Sequence, residues 1–156
     1  MEKKKNLSQV DETQLKPLSN RKIAVITSEW NQEVTFSMRD AAIDFLKAYM
    51  PGDAILTCEV PGSFELIYAS TRMLEKVDGI IAIGCVIQGE TPHFTFISQA
   101  VASGIASLNA ESGKPVIFGV LTTNTMEQAL DRAGGKHGNK GLEAAATLVK
   151  LLNLNL

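Results

Sequence analysis

The stretch Gly-Ile-Ile-Ala-Ile-Gly-Cys-Val-Ile at residues 79–87 decides the fold of this chain. An uncharged run of this length, rich in β-branched residues, is typical of a strand that is buried on both faces, as in parallel sheets. Similar runs recur at residues 23–27, 54–60 and 115–122. Because the gaps between the four runs are long enough for crossover helices, we expect the strands to pair in parallel.

Amphipathic helices are predicted in those gaps. The apolar residues that recur at helical spacing in the first gap, before the Pro51-Gly52 stop, are Val34, Met38, Ala41, Ala42, Phe45 and Tyr49. Patterns of the same kind cover residues 64–77, 93–109, 125–132 and 142–152. The alternation of strands and helices predicts a layered α/β domain around a central four-stranded parallel sheet.

Composition limits the classes of function. The chain has 156 residues, of which 45% are hydrophobic, so we expect one domain with a substantial core. Its 15 Lys and Arg residues are balanced by 17 Asp and Glu residues without a basic stripe, and nucleic acid is therefore not an expected partner. The longest uncharged stretch, residues 91–110, contains Pro, His, Gln and Asn, which a membrane span does not tolerate facing lipid.

Residues 1–20 are polar and lack sustained periodicity. We expect them to form a flexible arm, or a segment that orders only against something else, ahead of a domain at residues 21–156. Their positive start is not followed by the apolar region of a signal peptide. Cys58 and Cys85 lack the spacing of a metal or redox pair. These features predict reduced core cysteines in a cytoplasmic protein.

The predicted helix at residues 93–109 carries no charge and is rich in Ser, Ala and Gly. Such a helix requires burial on most of its surface. One face packs on the sheet, and the opposite face is suited to close contact with another subunit. We therefore expect a homo-oligomer.

The carboxyl ends of the strands are the predicted site, because ligands bind there in open parallel sheets. The four segments at those ends are residues 28–31, 61–65, 88–93 and 122–125. They contain the only tryptophan, Trp30, together with Phe64, Glu65, Glu90 and His93. Trp30 either stacks on a heteroaromatic ring or covers the end of the core.

The other candidates also have two interpretations each. Phe64 fits the apolar face of its helix better than a site, and Glu65 either binds a polyhydroxyl ligand or complements the helix dipole. His93 is either a proton-transfer group or an ordinary surface histidine. Residues 132–141 combine three cations with four glycines, which suits a small anion or, equally, a glycine helix stop. No motif indicates a nicotinamide or metal cofactor.

Five segments resemble motifs of the lumazine synthase family in order and spacing. They are EWN at 29–31, VPGSFEL at 60–66, GCVIQGETPHF at 84–94, PVIFGVLTT at 115–123 and RAGGKHGNKG at 132–141. The resemblance extends over residues 21–152 and implies a flavodoxin-like three-layer αβα sandwich. It also implies a transferase of riboflavin biosynthesis that needs no cofactor. The implied reaction condenses 5-amino-6-(D-ribitylamino)uracil with 3,4-dihydroxy-2-butanone 4-phosphate to 6,7-dimethyl-8-ribityllumazine, phosphate and water.

The resemblance implies a role for each predicted site residue. His93 matches the proton-transfer residue, and Trp30 matches the aromatic side chain that stacks on the pyrimidine. The residues implied on the ribityl side are Ser63, Phe64 and Glu65, and those that read the pyrimidine through their backbone are Cys85, Val86 and Ile87. The residues implied at the phosphate are Glu90, Thr91 and Arg132, and Phe118 matches an aromatic residue from a neighbouring subunit.

The resemblance further implies a homopentamer, or an icosahedral shell of twelve pentamers, in which an N-terminal strand joins a neighbouring sheet and a riboflavin synthase can be enclosed. The chain departs from the family at three positions. Trp30 replaces the usual Phe, Gln88 the usual Arg, and Thr95 a common acidic residue, while Glu143 is retained as a potential partner of Arg132. Two other readings are a protein of this fold that binds riboflavin or lumazine without catalysis, and a structural container. His93 and Arg132 argue against the binding protein.

Overall fold

The computed structural model describes residues 8–156. Its centre is a four-stranded parallel sheet with the strand order β2-β1-β3-β4. The strands are β1 (Ile23–Ser28), β2 (Ile55–Val60), β3 (Gly79–Ile87) and β4 (Val116–Thr123). The helices are α1 (Gln32–Leu46), α2 (Leu66–Met73), α3 (His93–Ser112), α4 (Met126–Asp131) and α5 (Lys140–Asn153). The predicted parallel α/β fold is confirmed.

Two hydrophobic layers enclose the sheet. Alternate residues of β3 point to opposite sides, so Ile81 and Ile83 pack with α1 and α5, while Ile80 and Ala82 pack with α2 and α3. All four of these side chains are fully buried. The continuous apolar run of β3 therefore reflects burial on both faces of the central strands.

The position of α5 against α1 depends on Gly141. A Cβ at residue 141 would collide with the main-chain carbonyl of Met38, so only glycine allows this close approach. Before α5, residues 133–139 form a short antiparallel hairpin of β5 (Ala133–Gly135) and β6 (Gly138–Asn139). This hairpin was not predicted.

The described part of the predicted arm, residues 8–20, lies against its own domain. Leu18 is buried, and its N–H donates to the Tyr49 carbonyl oxygen at 2.8 Å. The Lys16 N–H donates to Asn153 Oδ1 at 2.8 Å, next to a 3₁₀ turn at Glu12–Gln14. Residues 8–22 contain no strand, and residues 1–7 of the arm lie outside the described residues. Pairing of the arm with a neighbouring sheet stays a prediction.

Cys58 is not a core residue but half-buried, because β2 is an edge strand, whereas Cys85 on β3 is buried. In the single chain, α3 buries Val101 and Ile105 and leaves Phe96 66% exposed. The predicted contact of α3 with another subunit stays a prediction.

Within residues 8–156, no helix has both the length and the apolar character that crossing a bilayer requires.

Candidate active site

A cavity of about 410 Å³ opens at the carboxyl ends of β1, β2 and β3. Its position agrees with the rule for ligand sites in parallel α/β sheets. The residues that line it are Trp30, Asn31, Ser63, Phe64, Glu65, Cys85, Val86, Ile87, His93 and Ile97. The fold thus brings together three of the four predicted segments, and only residues 122–125 contribute nothing to the lining.

The turn from β1 to α1 carries Trp30 at the cavity. Its N–H donates to the Pro61 carbonyl oxygen at 3.0 Å, and the side chain is 64% exposed. Trp30 therefore lies at the cavity and does not cover the end of the core. Asn31 follows in the left-handed conformation, with φ 61° and ψ 44°, and its Nδ2 donates to the Cys85 carbonyl oxygen at 3.1 Å.

Asn31 was not predicted as a site residue. Its residue type could have indicated a left-handed turn here, since Asn adopts the left-handed region more readily than most other residues with a side chain. Through its amide group, Asn31 connects the turn after β1 to the end of β3. It thereby fixes the turn that carries Trp30 relative to the Cys85 backbone, and both residues line the cavity.

The loop after β2 forms a second wall. Ser63–Glu65 is a 3₁₀ turn, and Phe64 is 55% exposed on the cavity rather than buried on the apolar face of α2. Glu65 Oε2 accepts a hydrogen bond from the Gly62 N–H at 3.0 Å. Glu65 therefore stabilises this loop and lines the cavity at the same time.

Ser63 is the buried polar group of this wall. Its side chain is only 6% exposed, and its Oγ has no hydrogen-bond partner in the described part of the chain. The hydroxyl lies against Gly84, where a Cβ would collide with it. A buried hydroxyl without a partner is costly, so this group is suited to accept or donate when a ligand arrives.

The end of β3 forms the floor. Cys85 is buried, and this burial raises the pKa of its thiol to about 11, which keeps the group protonated at neutral pH. Val86 and Ile87 are half-buried at the end of the strand. The main-chain N–H of Gln88 donates to the Thr123 carbonyl oxygen at 2.9 Å, which connects β3 to β4 just beyond the cavity.

His93 is the first residue of α3 and lines the cavity. Among residues 8–156, its imidazole has no hydrogen-bond partner. Ile97, one helical turn further on, also lines the cavity and was not predicted. Glu90 and Thr91 lie exposed on the loop before α3, outside the lining.

Arg132 and Phe118 do not line this cavity either. Arg132 ends α4, and its Nη2 lies 3.9 Å from Glu143 Oε2, as the retained Glu143 suggested. Lys140 Nζ lies at the same distance from that oxygen. Phe118 borders a separate cavity of about 340 Å³ beside β4, together with Lys140 and Glu143. In the single chain, Phe118 and Arg132 therefore lie apart from the cavity that Trp30 and His93 line.

The site joins an indole and a histidine at the carboxyl edge of a parallel sheet. These features define a three-layer α/β domain of the doubly wound class, with a pocket for a small cyclic molecule. Across residues 8–156, no three His, Cys, Asp or Glu side chains are grouped so that they could hold a metal ion.

Comparisons with known proteins identify the family within this class. The model of the 6,7-dimethyl-8-ribityllumazine synthase family matches residues 20–155. Proteins of that name from Phocaeicola vulgatus and Porphyromonas gingivalis are 48% and 49% identical to this chain over 95% and 96% of its length, and the matches cover 90% and 94% of those proteins. The protein of that name from Cytophaga hutchinsonii is 49% identical over 95% of this chain and 94% of its own length. The chain belongs to the 6,7-dimethyl-8-ribityllumazine synthase family.

Proposed function

We propose that the protein condenses 5-amino-6-(D-ribitylamino)uracil with 3,4-dihydroxy-2-butanone 4-phosphate, releasing 6,7-dimethyl-8-ribityllumazine, phosphate and water. The observation that carries this proposal is the cavity at the sheet edge of a family member, where Trp30 and His93 lie on one opening. The reaction is a transfer step of riboflavin biosynthesis. It requires no cofactor.

The pyrimidine substrate binds beside Trp30. The indole provides a flat face for the ring, and the backbone of Cys85, Val86 and Ile87 provides donors and acceptors for its edge. Support for this orientation comes from the Asn31 amide, which holds the turn of Trp30 close to the Cys85 carbonyl.

The ribityl chain lies along the loop after β2. The unpartnered Ser63 hydroxyl and the second carboxylate oxygen of Glu65 are suited to a polyhydroxyl group, because each alcohol both donates and accepts hydrogen bonds. Phe64 covers this part of the cavity from the solvent side.

The phosphate of the second substrate binds near Glu90, Thr91 and Arg132, and Phe118 enters from a neighbouring subunit. The separation of Phe118 from the main cavity supports this arrangement, because a second copy could supply the missing side chain. The active assembly is a homopentamer, as such or within an icosahedral shell, in the cytoplasm. Its domain spans residues 21–156 with an arm at residues 1–20, and a riboflavin synthase is a candidate partner of the shell.

His93 transfers protons during the condensation. The 5-amino group attacks the butanone carbonyl, the carbinolamine loses water to form an imine, and phosphate then leaves. The ribityl-bearing nitrogen closes the second ring onto the remaining carbonyl with a further loss of water. A positioned acid–base group contributes about 10²- to 10⁴-fold to such steps. The remaining acceleration comes from holding two small substrates together.

The test follows lumazine formation by absorbance after both substrates are mixed with purified protein, with the uncatalysed condensation subtracted. We expect turnover well above background, reduced roughly 10²-fold or more in His93→Ala without complete loss. Equal turnover in the two proteins would remove His93 from the mechanism. Ligand binding without turnover would favour the non-catalytic binding protein, and assembled shells without binding or turnover would favour a container.

A further inference from the structure

Residue 62 is a glycine, although its backbone conformation does not require one. Its φ of −127° and ψ of 177° are extended values that any residue adopts. A Cβ built at residue 62 would nevertheless lie 2.6 Å from Cε3 and 2.7 Å from Cζ3 of Trp30. The space beside this α-carbon is therefore occupied by the six-membered ring of the indole.

The rest of the turn fits around this contact. The Trp30 N–H donates to Pro61, the residue before Gly62, at 3.0 Å. The Gly62 N–H donates to Glu65 Oε2 at 3.0 Å, and the same carboxylate oxygen lies 3.1 Å from the position of a Cβ on residue 62. The loop after β2 therefore contacts both the main chain of Trp30 and one part of its ring, although 64% of the residue is exposed.

We infer that Gly62 is a positioning residue, whose missing side chain lets the Trp30 ring lie against the loop after β2 and keeps its stacking face at the cavity. An alanine at residue 62 displaces the indole rather than the backbone, because the ring is on the surface and can rotate away. The kinetic consequence rests on the function proposed above. The position of the ring does not.

Trp30 is the only tryptophan of the chain, so its fluorescence reports this position directly. In Gly62→Ala without substrate, we expect a red-shifted emission, faster quenching by acrylamide and lower anisotropy than in the unchanged protein. The matched control is Gly52→Ala, at the opposite end of β2, where a Cβ would meet only the Lys47 side chain at an ordinary 3.7 Å. That variant should retain the unchanged spectrum.

Steady-state kinetics then distinguishes a misplaced indole from a general loss of structure. Loss of an aligned stacking face raises KM for the pyrimidine substrate about three- to tenfold in Gly62→Ala, with kcat changed less than about twofold. In a Trp30→Ala background, the same substitution should raise KM no further, because the ring through which Gly62 acts is gone.

The result that would overturn the inference is a Gly62→Ala protein with the fluorescence of Gly52→Ala. Additive effects of the two substitutions on KM would also overturn it. If Gly62→Ala fails to fold, the double variant with Trp30→Ala decides: recovery of the fold supports the contact, and continued failure refutes it. An inactive unchanged protein would refute the proposed function, while the fluorescence comparison would still decide the role of Gly62.

Discussion

At the amino ends of the strands, main-chain groups find partners in neighbouring segments. The Lys22 N–H donates to Asp78 Oδ2 and the Asp78 N–H to the Lys22 carbonyl, both at 2.8 Å. The Asn109 side chain donates to the carbonyl oxygen of Val116 and accepts from its N–H, again at 2.8 Å. These contacts close that end of the sheet and connect it to α3.

The carboxyl ends of the strands also have main-chain hydrogen bonds, but they differ from the amino ends in two other respects. The hydroxyls of Ser28 and Ser63 are buried without a hydrogen-bond partner among the described residues. Trp30 and Phe64 are more than half exposed. The comparison teaches that the amino end of the sheet is closed by paired polar groups, whereas the carboxyl end contains unpaired buried hydroxyls and leaves aromatic surface available to a ligand.

Alkylation of the two cysteines tests how closed the floor of the cavity is. At pH 8, iodoacetamide should modify Cys58 roughly tenfold or more faster than Cys85, because Cys85 is buried and this burial raises the pKa of its thiol to about 11. Mass spectrometry of native protein and of a Cys58→Ala control measures both rates. Similar rates for the two thiols would show that the carboxyl end is open to its floor.

The raised pKa of Cys85 also predicts how the stability of the fold depends on pH. Folding favours the protonated thiol of Cys85, so its contribution to stability is complete below about pH 9 and is lost as the pH rises through about 11. Chemical denaturation of unchanged protein and Cys85→Ser over this range measures the difference. A serine variant with the same loss of stability between these pH values would contradict the assignment to Cys85.

Asn109→Ala tests how much the contacts at the amino ends of the strands stabilise the fold. Removal of its side chain leaves the N–H and carbonyl of Val116 without these partners, and we expect the free energy of unfolding to fall by about 2–3 kcal/mol. Urea denaturation checks this value. Asn155→Ala, which changes an exposed residue, is the control, and equal effects of both substitutions would remove the contrast between the ends.

Trp30→Ala tests the carboxyl end with the opposite expectation. KM for the pyrimidine substrate should rise about tenfold, while the free energy of unfolding changes by less than about 0.5 kcal/mol, because the side chain is exposed. Trp30→Phe keeps an aromatic face and should restore most of the affinity. A large loss of stability in Trp30→Ala would show that the indole also supports the fold.

Ser63→Ala has the smallest expected effect. Removing a buried hydroxyl without a partner should raise the free energy of unfolding by about 0.5–1 kcal/mol and also raise KM. Ser70→Ala is the matched control, since its hydroxyl is equally unpartnered but lies on α2, outside the lining of the cavity. It should stabilise the protein without changing KM. An unchanged KM in both variants would leave Ser63 without a role in binding.

Apolar runs were sufficient to predict the sheet. The bounds of β3 agree with the prediction, those of β1 and β2 differ by one residue at one end, and β4 is shifted by one residue at both ends. This success has a physical cause, because central parallel strands are buried on both faces and carry an unbroken apolar signal. Helix ends differed more, since α1 extends over Gln32–Leu46 instead of ending near Tyr49.

The site was predictable only in part. Strand ends indicated Trp30 and His93, but the place of Asn31 at the cavity shows only in its hydrogen bond to Cys85, which is 54 positions away in the sequence. The β5–β6 hairpin was missed because glycine-rich segments have no hydrophobic period. Two residues assigned by resemblance, Phe118 and Arg132, lie away from the cavity in one chain, and their roles stay predictions.

The contact between Lys16 and Asn153 has a consequence for synthesis in the cell. These two residues are 137 positions apart, yet Lys16 donates to and accepts from the Asn153 amide. At about 5–20 residues per second, the ribosome needs roughly 7–27 s to make the chain between them. During that time Lys16 has no partner for this contact, and only the synthesis of α5 supplies one.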